Sequence, residues 1–198
     1  MIIYFDTETT GLYPGRIIQL SYVLEDGESV KGKNFYFFVE WIDPSATKVH
    51  GITVEKLAEL SKGKTFSDYA DEIYEDFKNA SLVVAHNVRF DLGFMIAEFK
   101  YLDTVFRYRE SFDTMKYFTP IMKLTREGKP NYKYPKLTEL TEFAEVFPYD
   151  VSKASRDIFG DYATDFHQAV FDTTAMYLSV KTLEPKYPEL KNYLDRYR

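Results

Sequence analysis

The chain has 198 residues, 45% of them hydrophobic and 28% charged, a balance that fits one folded domain with a sizeable core rather than a disordered segment. It has no cysteine, which excludes disulfides and thiolate-bound metals. Its net charge of −6 argues against a protein that coats duplex nucleic acid, but not against an enzyme that meets phosphates through bound cations. With neither a basic leader nor an apolar stretch of spanning length, the expected location is cytoplasmic, away from membranes.

Met1 to Phe5, Arg16 to Leu24 and Asn34 to Trp41 are rich in Ile, Val, Tyr and Phe. Gly11, Pro14 and Gly15, then Gly27 and Gly32, separate them, so they read as three strands of an antiparallel meander. Thr53 is a suitable N-cap for a helix to Leu60. Tyr69, Ile73 and Phe77 recur at helical spacing and predict a second helix over Ser67 to Lys78. Leu82 to Ala85 is wholly apolar, as a central buried strand requires. A helix containing Phe90, Phe94, Ile96, Ala97 and Tyr101 follows it, and Ser111 to Asp113 is the expected last strand. Helices are expected over Thr114 to Leu124, Lys136 to Phe147 and Gln168 to Lys181, with a short one from Pro185. Tyr149 to Thr164 has no periodic pattern and reads as a loop. Strands followed by alternating helices and strands predict a mixed α/β sheet covered by helices, in a single domain over residues 1–198.

Chemistry concentrates in three segments. In Phe5-Asp6-Thr7-Glu8-Thr9-Thr10-Gly11-Leu12, Asp6 and Glu8 lie two apart, so on a strand they share a face. Two carboxylates held together favour a hard cation between them, of the Mg²⁺ or Mn²⁺ kind. The second segment, Ala85-His86-Asn87-Val88-Arg89-Phe90-Asp91, leaves the buried strand and places Asp91 near a helix start. In the third, His167-Gln168-Ala169-Val170-Phe171-Asp172, five positions on one helix would part His167 from Asp172 by about 140°. The pair works better if His167 precedes the helix. Each segment alone also fits a solvated turn, a satisfied histidine or a helix cap.

Taken together, the three segments resemble the DEDD exonucleases, in the histidine-bearing subgroup that includes the proofreading epsilon subunit of bacterial DNA polymerase III. Asp6, Glu8, Asp91, His167 and Asp172 match its motifs in order, over nearly the whole chain, with VHGIT (Val49 to Thr53), FDT (Phe112 to Thr114) and KLTEL (Lys136 to Leu140) as further landmarks. The resemblance implies an RNase H-like fold with a central five-stranded mixed sheet. It also implies 3′-5′ hydrolysis of single-stranded nucleic acid by two Mg²⁺, with Mn²⁺ able to replace them, releasing nucleoside 5′-monophosphates. Asp6 would bridge both ions, Glu8 and Asp172 would complete the first, Asp91 would serve the second, and His167 would be the general base. Thr9, Thr10, Gly11, Leu12, His50, His86 and Phe94 are the expected substrate contacts. The substrate is 3′ ends of DNA or, alternatively, of RNA, and a DNA polymerase in trans is a conceivable partner. A silent binding subunit of the same fold would be expected to lack one of the carboxylates.

Lys123, Arg126, Lys129, Lys133 and Lys136 concentrate positive charge in an acidic chain. They read either as a solvated loop or as a track for incoming phosphates.

Overall fold

β1 (Ile2–Thr9) opens with four consecutive apolar residues, each fully buried, so both of its faces must be covered. The computed structural model describes residues 1–12, 14–160 and 168–198. In it, β1 pairs antiparallel with β2 (Ile17–Asp26) and β2 antiparallel with β3 (Ser29–Tyr36). On its other edge β1 runs parallel to β4 (Leu82–Ala85), which runs parallel to β5 (Ser111–Asp113). The order β3-β2-β1-β4-β5 is the five-stranded mixed sheet of the RNase H-like fold that the resemblance implies.

Among the described residues the helices are α1 (Pro44–His50), α2 (Val54–Ser61), α3 (Ala70–Asn79), α4 (Val88–Tyr101), α5 (Thr114–Met122), α6 (Leu137–Ala144), α7 (Pro148–Phe159), α8 (Ala169–Leu183) and α9 (Pro188–Leu194). Alternation along the strands divides the core. Ile3, Phe5, Tyr22, Val83 and Ala85 pack with Ile73 and Phe77 of α3 and Leu92, Met95 and Phe99 of α4. Ile2, Tyr4, Val23 and Val84 pack on the opposite face with Phe118 of α5, Leu140 of α6 and Val170, Met176 and Val180 of α8. None of these helices is long and apolar enough to cross a membrane.

The β1–β2 register shifts between Glu8 and Thr9, which face Gln19 and Ile17 respectively. Ile18 is therefore the extra residue of a bulge, and it joins Ile42, Ile52 and Leu57 in a third small core under α1 and α2.

Three expectations need correction. The third strand is Ser29–Tyr36 rather than Asn34 to Trp41. Asp26 pairs with Ser29 across the two-residue turn Gly27-Glu28, and Gly27 takes the left-handed φ of 59°. That turn fixes the register, and after Phe37 the chain leaves the sheet, where Phe38 N–H donates to Lys64 O (2.7 Å). α1 was not expected, although Asp43 before Pro44 and Gly51 after His50 mark both its ends: Asp43 Oδ1 accepts from Ser45 N–H (2.7 Å), and Gly51 has φ 70°.

The third correction is the expected loop from Tyr149 to Thr164, most of which is α7. Pro148 sits in its first turn and Gly160 (φ 75°) closes it. Its inward face is built from Val151, Ser152 and Ser155, and the serines mask the hydrophobic period. Ser155 Oγ–H donates to Thr174 Oγ1 of α8 (3.1 Å). Phe159 lies over Gly32 of β3, where an added Cβ would stand 2.4 Å from its ring. Gly32→Ala is therefore expected to destabilise the protein by about 1–3 kcal/mol, read from denaturant unfolding. In a Phe159→Ala background the same substitution should cost much less, and equal costs would refute the contact.

Candidate active site at the carboxyl edge of the sheet

Asp6 and Glu8 continue the face of β1 that carries Ile2 and Tyr4, and so point toward α8. Asp172 enters from the first turn of that helix. Asp6, Glu8 and Asp172 each offer a carboxylate oxygen within 4.8 Å of the other two. Asp91, in the first turn of α4 on the opposite face, is only 2% exposed. It accepts from Thr7 N–H (3.1 Å) and Thr7 Oγ1–H (2.8 Å), between Asp6 and Glu8 in the sequence. Asp91 and Asp172 both stand near helix N-termini, where the dipole favours negative charge.

α8 is fastened to β2 along its length. Ala169 N–H donates to Gln19 Oε1 (3.3 Å), Thr173 Oγ1–H to Ser21 O (3.1 Å) and Lys181 Nζ–H to Glu25 Oε1 (2.9 Å). Gln19 Nε2–H in turn donates to Asn34 Oδ1 of β3 (2.9 Å). These bonds set where Asp172 stands against Glu8.

The loop after β1 is held at both ends. Thr10 N–H donates to Arg16 O (2.8 Å), Arg16 N–H to Thr10 Oγ1 (2.9 Å) and Asp43 N–H to Thr10 O (2.8 Å). Gly11 has φ 154°, and a Cβ there would lie 3.2 Å from Asp43 Cβ. Buried Glu98 of α4 accepts two bonds from the Arg16 guanidinium (2.9 and 2.8 Å) and one from Ile17 N–H (2.8 Å).

Crowded carboxyls resist ionisation. Burial pushes Asp6 well above the usual range, and the charges of Asp91, Asp172 and Glu8 add to it. Burial, then Asp172 and Asp91, raises Glu8 to about 9. Burial also raises Asp91, to about 7, against the opposing effect of its bonds from Thr7. A hard divalent cation fits this donor set: three carboxylate oxygens close enough to share one ion, each stabilised as the anion by its charge.

The cluster floors an open pocket of about 410 Å³. Thr9, Gly11, Leu12 and His50, all expected substrate contacts, line it together with Ser45, Ala46, Val49 and Phe90, which were not among them. Leu12 is 84% and Val49 57% exposed, so the walls carry apolar faces open to a ligand. His50 is buried and its Nδ1 accepts from Ile52 N–H (3.0 Å), which puts the proton of the neutral ring on Nε2.

Other expected contacts lie elsewhere. Thr10 is occupied in fastening the loop. Phe94 is buried in the α4 core, its ring 4.9 Å from that of Phe90, and among the described residues Phe90 is the aromatic that reaches the pocket. His86 is not among the pocket residues. Its Nε2 must donate to Pro135 O (2.9 Å), because a carbonyl only accepts, and in the neutral ring its Nδ1 takes the Thr114 hydroxyl hydrogen (2.9 Å). Burial holds it below the usual histidine pKa, in keeping with that neutral form. α8 begins at Ala169, after His167 in sequence as expected, and His167 itself lies outside the described residues. Phe90 adjoins Asp91 in a segment already singled out and was there to be found. Thr7 and Gln19 act through long-range bonds that leave no local signal.

An acidic cluster at this edge of this sheet defines the class, a nuclease of RNase H-like fold. Residues 3–178 match the RNase_T family model, described as Exonuclease, and the chain belongs to that family. It is similar to the protein named DNA polymerase III subunit epsilon of Escherichia coli, 38% identical over 110 residues, which are 50% of this chain and 44% of that one. The subunit of that name from Buchnera aphidicola of Acyrthosiphon pisum is 29% identical over 181 residues, 86% of this chain and 67% of that one. A PolC-type DNA polymerase III of Mycoplasmopsis pulmonis is 30% identical over 185 residues, 90% of this chain but 12% of that protein. The chain thus spans less than half of the Escherichia coli relative it matches.

The raised carboxyls have a thermodynamic consequence. With no ion bound, folded Glu8 keeps a proton that its unfolded form gives up, so stability falls as pH rises from about 5 toward 9. Glu8→Gln should then stabilise the protein in chelator at pH 7 by roughly 1–3 kcal/mol. Saturating Mg²⁺ should erase or reverse the gain, because only the wild type has the ligand. Thermal melts with and without Mg²⁺ read both effects, and an unchanged melt in chelator would contradict the electrostatic account.

Proposed function

We propose that this chain is a 3′-5′ exonuclease of the histidine-bearing DEDD type, removing nucleotides from single-stranded nucleic acid and from DNA in the first place. The observation that carries the reading is the trio Asp6, Glu8 and Asp172, with ligand oxygens within 4.8 Å of one another at the floor of an open pocket. Asp91, fastened to the same strand end, completes a set of four.

Asp6, Glu8 and Asp172 would hold one divalent ion, and Asp6 with Asp91 a second: two Mg²⁺, which Mn²⁺ could replace. Bound ions of this kind supply Lewis acidity to the phosphodiester and a counter-charge for the departing oxygen. The protein's own part is positional. Leu12, Val49 and Phe90 give the terminal base apolar faces to pack on, which suits any base. Thr9 and Gly11 back that nucleotide, and His50 closes the rim. His167, in its neutral form, takes a proton from the attacking water. The water oxygen bonds to phosphorus, the bond to the 3′ oxygen breaks, and that oxygen leaves as the new 3′-hydroxyl once protonated. A nucleoside 5′-monophosphate is the product. Similarity to proteins named epsilon subunits supports DNA as substrate and a polymerase on a separate chain as partner.

The test uses 5′-labelled single-stranded DNA and RNA of one sequence, with Mg²⁺, Mn²⁺ or chelator. Stepwise shortening from the 3′ end is expected with either ion, and none with chelator or in Asp6→Ala. Intact substrate under every metal condition would sink the reading. The faster of the two substrates identifies the class of nucleic acid.

His167→Ala should lower kcat by about 10²–10⁴-fold. Wild-type activity should fall as pH drops through the histidine's titration, near 6.5 for an unperturbed ring. A rate constant across about pH 5 to 8 would rule out a histidine base.

A further inference from the structure

We propose that residues 123–136 form a track that holds the single strand upstream of its 3′ end, a proposal that rests on the exonuclease reading. The segment carries Lys123, Arg126, Lys129, Lys133 and Lys136 against one carboxylate, Glu127, in a chain of net charge −6. Lys133 is paired with Glu139, while Lys123, Arg126, Lys129 and Lys136 have no ion pair among the described residues.

The shape of the segment is fixed by backbone bonds. Lys133 N–H donates to Leu124 O (2.8 Å) and closes the base of the loop, and Lys129 N–H donates to Arg126 O (3.1 Å) around Gly128 at φ 69°. On this loop Tyr132 is 47% and Tyr134 56% exposed, and with Arg126 and Lys129 they border a recess of about 260 Å³. Cations beside open aromatic faces are what a flexible polyanion with stackable bases requires.

The placement of the loop points to the same ligand. Tyr4 pairs with Val84, and Ala85 with Asp113. His86 directly follows β4, the neighbour of β1, and Thr114 opens α5 directly after β5. His86 Nε2–H donates to Pro135 O (2.9 Å), so the end of the basic loop is tied to the carboxyl end of β4, beside the strand that carries Asp6. A strand whose last nucleotide lies over Asp6 would have its preceding phosphates near these cations. His86 is then a positioning residue, which accounts for a histidine that never reaches the pocket.

The test compares wild type with Arg126→Gln/Lys129→Gln and with Tyr132→Leu/Tyr134→Leu, using a dinucleotide and a longer oligonucleotide, each as DNA and as RNA. KM for the longer strand should rise roughly tenfold in the charge variant, as for about 1.4 kcal/mol of lost binding. KM for the dinucleotide and kcat for both lengths should stay unchanged. The slope of log affinity against log salt should shrink by about 0.7 for each phosphate contact removed. The tyrosine variant should weaken the longer strand with its salt slope intact. Equal KM changes for both lengths, or an unaltered salt slope in the charge variant, would overturn the proposal. Fluorescence anisotropy of the labelled strands in chelator measures the same affinities without turnover. Loss of the exonuclease reading and loss of the track are therefore separate results.

Discussion

Asp6, Glu8 and Asp172 bring ligand oxygens within 4.8 Å of one another, and like charges at that range would push apart any backbone free to yield. The surrounding structure resists that push with hydrogen bonds that cross the sheet. Gln19, Ser21 and Glu25, alternating along one face of β2, each hold a different turn of α8. Thr7 holds Asp91 with both its amide and its hydroxyl. Partial neutralisation completes the balance, since Glu8 and Asp91 retain protons more readily than ordinary carboxyls. A divalent cation in place of those protons would meet ligands that the scaffold already holds.

The same economy runs into the loop that borders the pocket. Glu98 is buried on α4, yet its bonds go to Arg16 and Ile17 at the start of β2. One buried carboxylate thus ties the loop after β1 to the helix that carries Asp91. Leu12 sits on this loop with its side chain mostly in solvent. The hydrogen-bonded order lies in the floor, while the wall is apolar and open.

Much of this was legible in the sequence because it depends on local pattern. The wholly apolar Leu82–Ala85 and the i, i+2 spacing of Asp6 and Glu8 are written in neighbouring residues, and both stand where they were read. β3 was misplaced because a long aromatic run outweighed a two-residue turn, although the turn decides register. α7 was missed because serines occupy its buried face, and their hydroxyls find partners such as Thr174 only in the folded state. Of the site, the carboxylates were visible and the groups that hold them were not. Gln19 reaches Ala169 across 150 residues of sequence, and no local pattern encodes that.

The hydrogen bond from Lys133 to Leu124 has a meaning for chain length as well as for shape. It shuts the basic loop at its base, so residues between the two can be added or removed without changing the path of the chain into α6. Closing a longer loop adds only about 0.6 kcal/mol for each doubling of length. A change in the length of that loop therefore leaves the carboxylates, fixed by β1 and two helix starts, where they are.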